Sequence, residues 1–591
     1  MDPFDKLRVN LERLITVARA DAEGDLLLQN ARIVNVFTAE IEPSDVVIAE
    51  GRIAGIGPGY SAHHVIDLHG SYLLPSFIDG HIHPESSHLY VQQYARAVVP
   101  RGTTAIVTDL HELANVGGLP ALRRYLQDAE GLPMDIFLMV PSCVPATFHL
   151  ETSGAVLDTA AIAEALTWPN ALGLGEAMDF PAIIAGHGPC LDKLRAAAGR
   201  TDMRPSGRII DGHAPHLSGH TLNAYLSAGP RSDHETTSLE EGREKLRRGM
   251  HLMIREGTTE KNLAELLPLV SDDTYPRCLL IVDDRSPVDL RDDGEIDAVV
   301  RKAVRLGLDP IRAIQLATIN PAAYFGLRDR GAIGPGYLAD LIVADSLEDL
   351  RPRLVLYRGR VVAEEGRPLF PAPASAPAEL AASFRIGPIS RDSFGLPAPA
   401  GERVPVIEIV PGQIITRRAD LAPRVEDGRI VADPERDILK LAVVERHHGT
   451  GNVGVGLVRG FGLKRGAIAS SFAHDSHNIV VVGASDNDML AAVCHLKGLQ
   501  GGLTAVLDGQ PLASLPLPIA GLMSPEPLET VAAQEEAVVS AAASLGVTVH
   551  APFAVLSFLA LPVIPELKVT DKGLVDVAAS ALIDLAASPT A

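Results

Sequence analysis

Cysteine and aromatic residues are scarce in this chain of 591 residues. The four cysteines, Cys143, Cys190, Cys278 and Cys494, stand alone. No Cys-x-x-Cys pair occurs, which excludes a disulfide framework, a thiolate zinc knuckle and a zinc site of the cytidine deaminase type. Aromatic side chains make up only 4% of the residues, which is little material for a platform that stacks nucleic-acid bases.

Positive charge is also in short supply, and long apolar runs are missing. The 52 Lys and Arg against 74 Asp and Glu give a net charge of −22, which disfavours nucleic-acid and anionic membrane partners. The most apolar late run, Ala551 to Pro565, is too short to span a bilayer, and the charged residues 1–8 do not resemble a signal peptide. We therefore expect a cytoplasmic protein that acts on small molecules and forms a homo-oligomer, a dimer or higher.

One apolar segment ends in two histidines, within the stretch 73–88. His81 and His83 are two residues apart, so on a strand they point to the same face and can aim two imidazoles at one metal ion. Taken alone, a His-x-His is better explained by two solvated histidines at a strand end, because the motif is too short to be specific. The metal site is favoured here because more histidines and carboxylates follow later strand candidates.

Short apolar strands alternate with helical patterns over about 210 residues from this segment onward. We count eight strand candidates, of which the sixth is weak because it is almost entirely polar. They are Phe77–His83, Thr104–Asp109, Asp135–Val140, Ala171–Gly175, Arg208–Gly212, Ser232–His234, Met250–Ile254 and Cys278–Val282. This alternation predicts a parallel sheet closed into a (β/α)8 barrel, in which the chemistry collects at the carboxyl ends of the strands.

The alternation of strands and helices places the protein in the α/β class. The pattern in the rest of the chain predicts two further β-rich parts. Short β segments flank the barrel on both sides and resemble each other, so we expect them to pack together. The predicted parts are an N-terminal helix (1–24), a discontinuous β-sandwich domain (25–75 and 326–370), a metal-dependent barrel (76–325), a Pro- and Ala-rich linker (371–400) and a C-terminal α+β domain (401–591).

The ends of the strand candidates carry metal-ligand and acid–base residues. They are His81, His83, Asp109, His111, Glu112, Glu176, Asp211, His213, Asp233, His234, Glu235, Asp283 and Asp284. Polar residues at any one strand end need no explanation, but a cluster from six strand ends is costly without a metal or partner. Four histidines and two carboxylates exceed one four-coordinate ion, which favours two divalent metals bridged by Glu176, with a hydroxide as nucleophile. Asp283 is a candidate both to bind a metal and to move the proton.

These motifs resemble the amidohydrolase superfamily and, within it, the adenine deaminase family. The matching stretches are 77–87, 210–215, 234–235, 282–285, 471–481, 515–524 and 558–565. The resemblance implies hydrolysis of adenine to hypoxanthine and ammonia, and two divalent ions, most often manganese or iron, with zinc as a further option. It also implies a bridging glutamate where many relatives use a carboxylated lysine, and Glu176 agrees with that.

The resemblance also implies roles for individual residues. The implied metal ligands are His81, His83, Glu176, His213 and Asp283. His234 is expected either to ligate a metal or to orient the hydroxide and polarise C6 of the substrate. Glu235 is a candidate to protonate a ring nitrogen, because attack at C6 places negative charge on the ring.

A second set of residues is assigned to substrate binding on weaker grounds. These are His111, Glu112, Asp284, His474, Asp475, His477 and Asn478. His111 and Glu112 are equally well explained as residues that orient a metal-bound histidine. The loop 474–478 either caps the following strand or reaches over the barrel mouth and closes the site.

Two other functions stay open at this point. The same centre would serve another amidohydrolase reaction, such as hydrolysis of a cyclic amide or of another aminopurine. A non-catalytic purine-binding protein on a decayed barrel is the alternative outside the enzymes, but it would require lost ligands, and none looks lost. Arg255 and Glu256, at the end of the seventh strand candidate, predict a structural ion pair.

Overall fold

The computed structural model describes residues 10–199, 208–371, 377–381, 383–399 and 401–585. Residues 1–9 of the predicted N-terminal helix, residues 372–376, 382 and 400 of the predicted linker, and residues 586–591 of the predicted C-terminal domain lie outside the described residues. The boundaries drawn between the predicted domains stay predictions.

The chain begins with a short helix packed on a sheet. Asn10 caps the helix, because its side chain accepts a hydrogen bond of 3.0 Å from the backbone nitrogen of Arg13. Leu14 and Val17 face the sheet and are buried. The elements are α1 (Leu11–Ala18), β1 (Gly24–Asn35), β2 (Glu40–Ala49), β3 (Arg52–Ile56), β4 (Ala62–Asp67) and β5 (Tyr72–Pro75).

The next segment alternates strands and helices, as the hydrophobic pattern predicts. The first half contains β6 (Phe77–Asp79), β7 (Ile82–His83), α2 (Val91–Val98), β8 (Thr103–Thr108), α3 (His111–Asp128), β9 (Asp135–Pro141), α4 (Thr159–Ala165), β10 (Ala171–Ala177), α5 (Phe180–Ala185) and α6 (Pro189–Ala198). The second half contains β11 (Ile209–Gly212), α7 (Gly219–Ser227), β12 (Ser232–Asp233), α8 (Leu239–Arg247), β13 (His251–Arg255), α9 (Leu263–Leu266), β14 (Cys278–Ile281), β15 (Asp283–Asp284), α10 (Pro287–Asp292), α11 (Ile296–Arg305), α12 (Pro310–Leu316) and α13 (Ile319–Phe325).

The barrel strands run parallel and in chain order. One ladder holds β6, β8, β9, β10 and β11, and a second holds β12, β13 and β14. The nitrogen of Arg231 donates to the oxygen of Ile210 at 3.0 Å, which joins the two ladders. At the other edge β15 pairs with β7, with Asp283 opposite Ile82, so the eighth strand position returns to the first. All strand ends that carry candidate residues therefore meet at one rim.

Two local features differ from the expected pattern. The first strand is broken between β6 and β7, so His81 lies outside both, yet the His81 and His83 rings still converge at 4.9 Å between centroids. The helix that follows β8, α3, begins at His111 and runs through a kink at Gly118 (φ 61°). His111 and Glu112 therefore lie in the first helical turn and not in a loop.

After the barrel the chain returns to the first sheet. The added strands are β16 (Leu341–Ala344), β17 (Pro352–Tyr357), β18 (Arg360–Glu364) and β19 (Arg367–Pro368). β16 pairs antiparallel with β5, so segments before and after the barrel share a nine-stranded sheet. Leu28 and Leu356 belong to one hydrophobic core, and this burial stabilises the join between the two segments.

The last part of the chain is built on an eight-stranded sheet, in the order β22, β21, β26, β25, β28, β27, β29 and β30. Its first elements are α14 (Ala378–Ala381), β20 (Leu396–Pro397), β21 (Val404–Ile409), β22 (Thr416–Leu421), β23 (Arg424–Glu426), β24 (Arg429–Val431), β25 (Ile438–Val444), β26 (Val453–Arg459), β27 (Ala467–Ser470) and β28 (Ile479–Gly483). They continue with α15 (Asp486–Leu499), β29 (Gly502–Leu507), β30 (Gln510–Pro516), α16 (Leu528–Ser544), α17 (Pro552–Phe558), β31 (Leu567–Thr570), β32 (Gly573–Asp576) and β33 (Ala581–Ile583).

This C-terminal region packs directly against the barrel. The nitrogen of Tyr90 donates to Ser524 at 2.9 Å, and the nitrogen of Ser524 donates to His88 at 2.8 Å. The Asn478 side chain donates to the oxygen of Thr152 at 2.8 Å. The loop between β27 and β28 is thereby held over the carboxyl ends of the barrel strands. No helix in the described ranges is long and apolar enough to cross a bilayer.

Candidate active site

Glu176, at the end of β10, stands at the centre of four histidines. Its Oε1 lies 3.5 Å from Nε2 of His81 and 3.3 Å from Nε2 of His83. Its Oε2 lies 3.0 Å from Nδ1 of His213 and 3.4 Å from Nε2 of His234. Each carboxylate oxygen thus faces one pair of imidazoles, which is the arrangement that a carboxylate shared by two ions requires. Burial opposes ionisation, but the charges and hydrogen bonds of His234 and His213 hold the pKa of Glu176 well below its usual value.

Asp283, at the end of the barrel's eighth strand position, faces the same cluster. Its Oδ1 lies 3.3 Å from Nε2 of His83, and its Oδ2 accepts a hydrogen bond of 2.7 Å from Nη1 of Arg255. Burial opposes ionisation, but the charge of Arg255 and the hydrogen bond with His83 hold the pKa of Asp283 well below its usual value. The backbone of Asp283 has φ 70°, a left-handed conformation that is unfavourable for a non-glycine residue and recurs at functional sites.

Arg255 also holds Glu235 through both of its terminal nitrogens, at 2.7 and 2.8 Å. Burial raises the pKa of Glu235, but the guanidinium charge outweighs it, so the pKa lies below its usual value. The predicted ion pair between Arg255 and Glu256 is wrong, because Glu256 pairs with Lys302 instead. Arg255 therefore fixes two carboxylates of the site by bidentate and single hydrogen bonds.

Asp109, at the end of β8, lies behind the histidines. Its Oδ1 is 3.3 Å from Nδ1 of His83 and 3.0 Å from Nδ1 of His111. A carboxylate on the second ring nitrogen fixes the orientation of an imidazole whose first nitrogen faces an ion. The sequence placed Asp109 among the strand-end residues but gave it no role.

Glu112 joins the barrel to the C-terminal region. Its carboxylate is fully buried. It shares a short hydrogen bond with His477 and makes a short ion-pair contact with His474, and His111 Nε2 lies 3.2 Å away. The charge of Glu112, against the effect of burial, raises the pKa of His474 to about 9. His477 and Asn478 contact neighbouring protein groups in this joint, whereas His474 and Asp475 reach the cavity over the metal-ligand candidates.

The cavity over the histidines has a polar floor and an apolar wall. The C-terminal region supplies Ile414, Phe558, Leu561 and Ile564, and the barrel adds Met178. The ring of His474 stacks on Phe558 with 4.5 Å between centroids and 21° between planes. The sequence analysis gave these apolar residues no role at the site, although 558–565 is one of the stretches that match the adenine deaminase family.

The donor set fits divalent metal ions. His81 Nε2 and Glu176 Oε1 are buried and have no hydrogen-bond partner among the described residues. Buried polar atoms without partners are costly, so their convergence fits a site at which both atoms would bind a cation. Groups of three or four ligand atoms within 4.8 Å of one another combine His81 with Glu176 and His234, His81 with His83 and Asp283, and His213 with His234 and Glu235. Imidazole and carboxylate suit zinc, iron, manganese or cobalt.

The structure brings together all six predicted metal-ligand residues and places Glu235 and Asp284 at the same cavity. Asp284 accepts a short hydrogen bond from Ser86, and burial raises its pKa. Residues without an assigned role in the sequence are Asp109, Arg255, Glu260 and the apolar wall.

Two family models match the chain. Residues 72–363 match the model described as Amidohydrolase family, and residues 413–581 match the model described as Adenine deaminase C-terminal domain. The fold and the histidine-rich rim therefore define an amidohydrolase, and the predicted fold class is confirmed.

Relatives identify the group within that class. An adenine deaminase from Dehalococcoides mccartyi is 54% identical over 577 residues, which cover 98% of this chain and 99% of the relative. Adenine deaminase 2 from Carboxydothermus hydrogenoformans is 48% identical, covering 97% and 99%. A third, from Methanothrix thermoacetophila, is 47% identical, covering 96% and 98%. The chain belongs to the adenine deaminase family.

Proposed function

We propose that this protein hydrolyses adenine to hypoxanthine and ammonia. The observation that carries the proposal is Glu176, whose two oxygens each face a pair of histidines at the rim of an amidohydrolase barrel. Membership of the adenine deaminase family supplies the substrate, since every relative named above bears that name.

Two divalent ions, manganese or iron with zinc as the alternative, complete the proposed site. His81 and His83 would hold one ion and His213 and His234 the other, with Glu176 shared between them and Asp283 as a further ligand. When bound, such ions supply Lewis acidity that lowers the pKa of water at the site to near neutrality.

Asp283 is the proposed proton carrier. It is ionised in its surroundings, so it can accept a proton from the attacking water. The same carboxyl group can then give the proton to the amino group that leaves as ammonia. Arg255 holds the carboxylate in place for both transfers through its bond of 2.7 Å.

A second proton is needed on the purine ring, because attack at C6 places negative charge on the ring nitrogen. Glu235 is ionised beside Arg255 and has no proton to donate, so its proposed role is to position Arg255. Glu260 lines the same cavity, and burial raises its pKa to about 7. We therefore assign the ring-directed proton to Glu260.

The apolar wall is the proposed binding surface for the purine ring. Phe558, Leu561 and Ile564 offer flat apolar surface opposite the charged rim. Stacking of a base on an aromatic side chain contributes about 1–3 kcal/mol to binding and depends little on which base is stacked. His474 and Asp475 lie at the same cavity and are proposed to contact the polar edge of the ring.

Ammonia release tests the proposal. Protein from manganese-supplemented cells would be incubated separately with adenine, other aminopurines and a cyclic amide such as hydantoin. We expect turnover of adenine at about 1–1000 per second and at least a hundredfold less of the others. Preferred hydrolysis of a cyclic amide would overturn the substrate assignment, and purine binding without turnover would identify a binding protein.

The variant Glu260→Gln tests whether Glu260 donates the proton, and its pH profile distinguishes that role from a general loss of activity. We expect a drop in kcat of about 100-fold and loss of the high-pH limb of the rate profile, since the amide has no proton to titrate. Glu265→Gln, at an exposed position of α9, is the matched control. An unchanged pH profile in Glu260→Gln would remove Glu260 from the reaction. The homo-oligomer and the cytoplasmic location remain proposals, and sedimentation would test the first.

A further inference from the structure

A cavity of about 450 Å³ beside the barrel is lined mainly by basic residues. It lies between α11 and the segments that follow β13 and β15. Eight of its thirteen lining residues are Lys or Arg, and three are Asp or Glu. In the whole chain, acidic residues outnumber basic ones by 74 to 52, so the cavity has the opposite charge balance from the protein that contains it.

Several of these cations already have carboxylate partners. Lys302 pairs with Glu256 through a short contact, and Arg291 pairs with Asp292 at 2.6 Å. Arg301 pairs with Asp297 at 2.6 Å. Arg285 also pairs with Asp293 at 3.6 Å, and Arg351 pairs with Asp349 at 3.1 Å. These pairs account for part of the charge and hold the walls of the cavity.

Three of the eight cations remain without such a partner. Among the described residues, no carboxylate oxygen lies within 4.0 Å of Arg101, Lys261 or Arg305. Arg101 donates to the backbone oxygen of Arg291 at 2.8 Å, which fixes its guanidinium without neutralising it. Like charges around one concavity repel each other, so the cavity is poised to take an anion.

We propose that this cavity binds an anion that carries two or more phosphate groups. Guanidinium groups match the geometry of phosphate oxygens, and lysine adds a compact charge. Three unpaired cations are too many for a single phosphate but suit the three or four charges of a diphosphate or triphosphate. The volume lies within the range of about 300–1,000 Å³ that is usual for small-molecule sites. A nucleoside polyphosphate and inorganic pyrophosphate share this chemistry.

The site is separate from the metal-ligand cluster, and the proposal does not depend on the adenine reaction. The cavity includes none of the candidate metal ligands. It does include Arg285, which donates to the oxygens of Gly294 at 3.0 Å and Glu256 at 3.3 Å. These bonds keep the basic wall rigid before any anion arrives.

Titration calorimetry on the metal-loaded protein tests the proposal, with pyrophosphate, ATP, adenosine and orthophosphate as separate ligands. We expect pyrophosphate and ATP to bind at least about tenfold more tightly than orthophosphate, since each additional phosphate group adds charge-assisted hydrogen bonds. Adenosine is expected not to bind in this cavity. Equal affinity for ATP and pyrophosphate would show that the site recognises only the phosphate groups. Tighter binding of ATP would show that the site also recognises the nucleoside.

Charge reversal locates the binding. The double variant Lys261→Glu, Arg305→Glu changes two exposed side chains of the cavity, and we expect it to weaken polyphosphate binding at least about tenfold. Arg417→Glu, Arg418→Glu makes the same charge change on β22 and is expected to leave the affinity unchanged. Binding that persists in the cavity variant would come from another place, including chelation of the metal ions, and would overturn the proposal. The absence of any polyphosphate binding at millimolar concentration would overturn it as well.

Discussion

The two sides of the candidate active site differ in chemistry. The barrel side is a rim of histidines and carboxylates, centred on Glu176 and Asp283. The C-terminal side offers mainly apolar surface, from Phe558, Leu561 and Ile564. Ions and proton carriers need charge, whereas a purine ring needs a flat apolar surface. On the proposed function, the barrel would therefore carry the reaction and the C-terminal region would select the substrate.

Two buried lysines, one from each region, differ in how their charge is compensated. Lys245 in the barrel region contacts Asp233 at 2.9 Å and Glu241 at 2.7 Å, so its charge is compensated. Lys568 in the C-terminal region is fully buried and donates to the oxygen of Ile414 at 3.0 Å. No carboxylate oxygen of the described residues lies within 4.0 Å of it. Lys245 is therefore buried within ion pairs, whereas Lys568 is buried with a backbone oxygen as its hydrogen-bond partner.

Removing the carboxylate of Asp283 is expected to have the largest effect, because it ends the proposed proton transfer. Asp283→Asn should lower kcat by about 1,000-fold while the protein stays folded. Steady-state ammonia release and circular dichroism on the same sample are the measurements. Asp272→Asn, at a 96% exposed side chain, is the control. A variant that keeps a tenth or more of the rate would remove Asp283 from its role.

The paired lysine offers the next largest effect, on stability. Lys245→Met leaves Asp233 buried without its partner, which should cost about 3–5 kcal/mol in free energy of unfolding. Lys568→Met removes no ion pair and should cost less than about 1 kcal/mol at pH 7. Urea unfolding followed by fluorescence gives both numbers. Equal losses in the two variants would contradict the contrast between paired and unpaired burial.

The apolar wall should act on substrate affinity more than on the chemical step. Phe558→Ala is expected to raise KM for adenine about 10- to 100-fold with a smaller change in kcat, because a stacking surface is lost. Phe37→Ala, at a half-exposed aromatic residue of the N-terminal sheet, is the control. A fall in kcat at constant KM would place Phe558 in the reaction rather than in substrate binding.

The pH dependence of stability from Lys568 is the most gradual of the expected effects, because it is spread over several pH units. Burial lowers the pKa of Lys568 to about 7 from 10.5. Between these values the unfolded chain binds a proton that the folded chain does not, so this group makes stability rise with pH from about 7 to about 10 and lowers it as the pH falls. The rise is at most about 1.4 kcal/mol per pH unit. The free energy of unfolding, measured with urea at pH 7, 8 and 9, should rise with this slope in the wild type and not in Lys568→Met. The same pH dependence in both proteins would contradict the prediction.

Much of the histidine and carboxylate rim could be predicted from the sequence, because the geometry of a parallel barrel places the carboxyl ends of its strands together. The carboxyl ends of parallel strands meet, so His81, Glu176 and Asp283 had to converge once the alternation of strands and helices was recognised. The partner of Arg255 was mistaken for Glu256, although neighbouring residues on a strand point to opposite faces. That periodicity could have excluded the pair.

The wall of the cavity could not be predicted in the same way. Phe558 and Ile414 reach the site through docking of the C-terminal region, which depends on contacts distant in the sequence such as that between Tyr90 and Ser524. The family resemblance covers 558–565, but no local pattern shows that these residues reach the barrel. Glu260 was also missed, because only its burial at the cavity distinguishes it from other acidic loop residues.

The most direct test of the central claim is to count metals and measure ammonia release from adenine on one preparation, purified from cells grown with manganese and an iron chelator. The arrangement around Glu176 predicts about two ions per chain together with rapid release, and loss of bound metal in Glu176→Ala. Two ions without adenine turnover would contradict the substrate. A protein that binds no metal in any preparation would contradict the assignment of the histidine cluster itself.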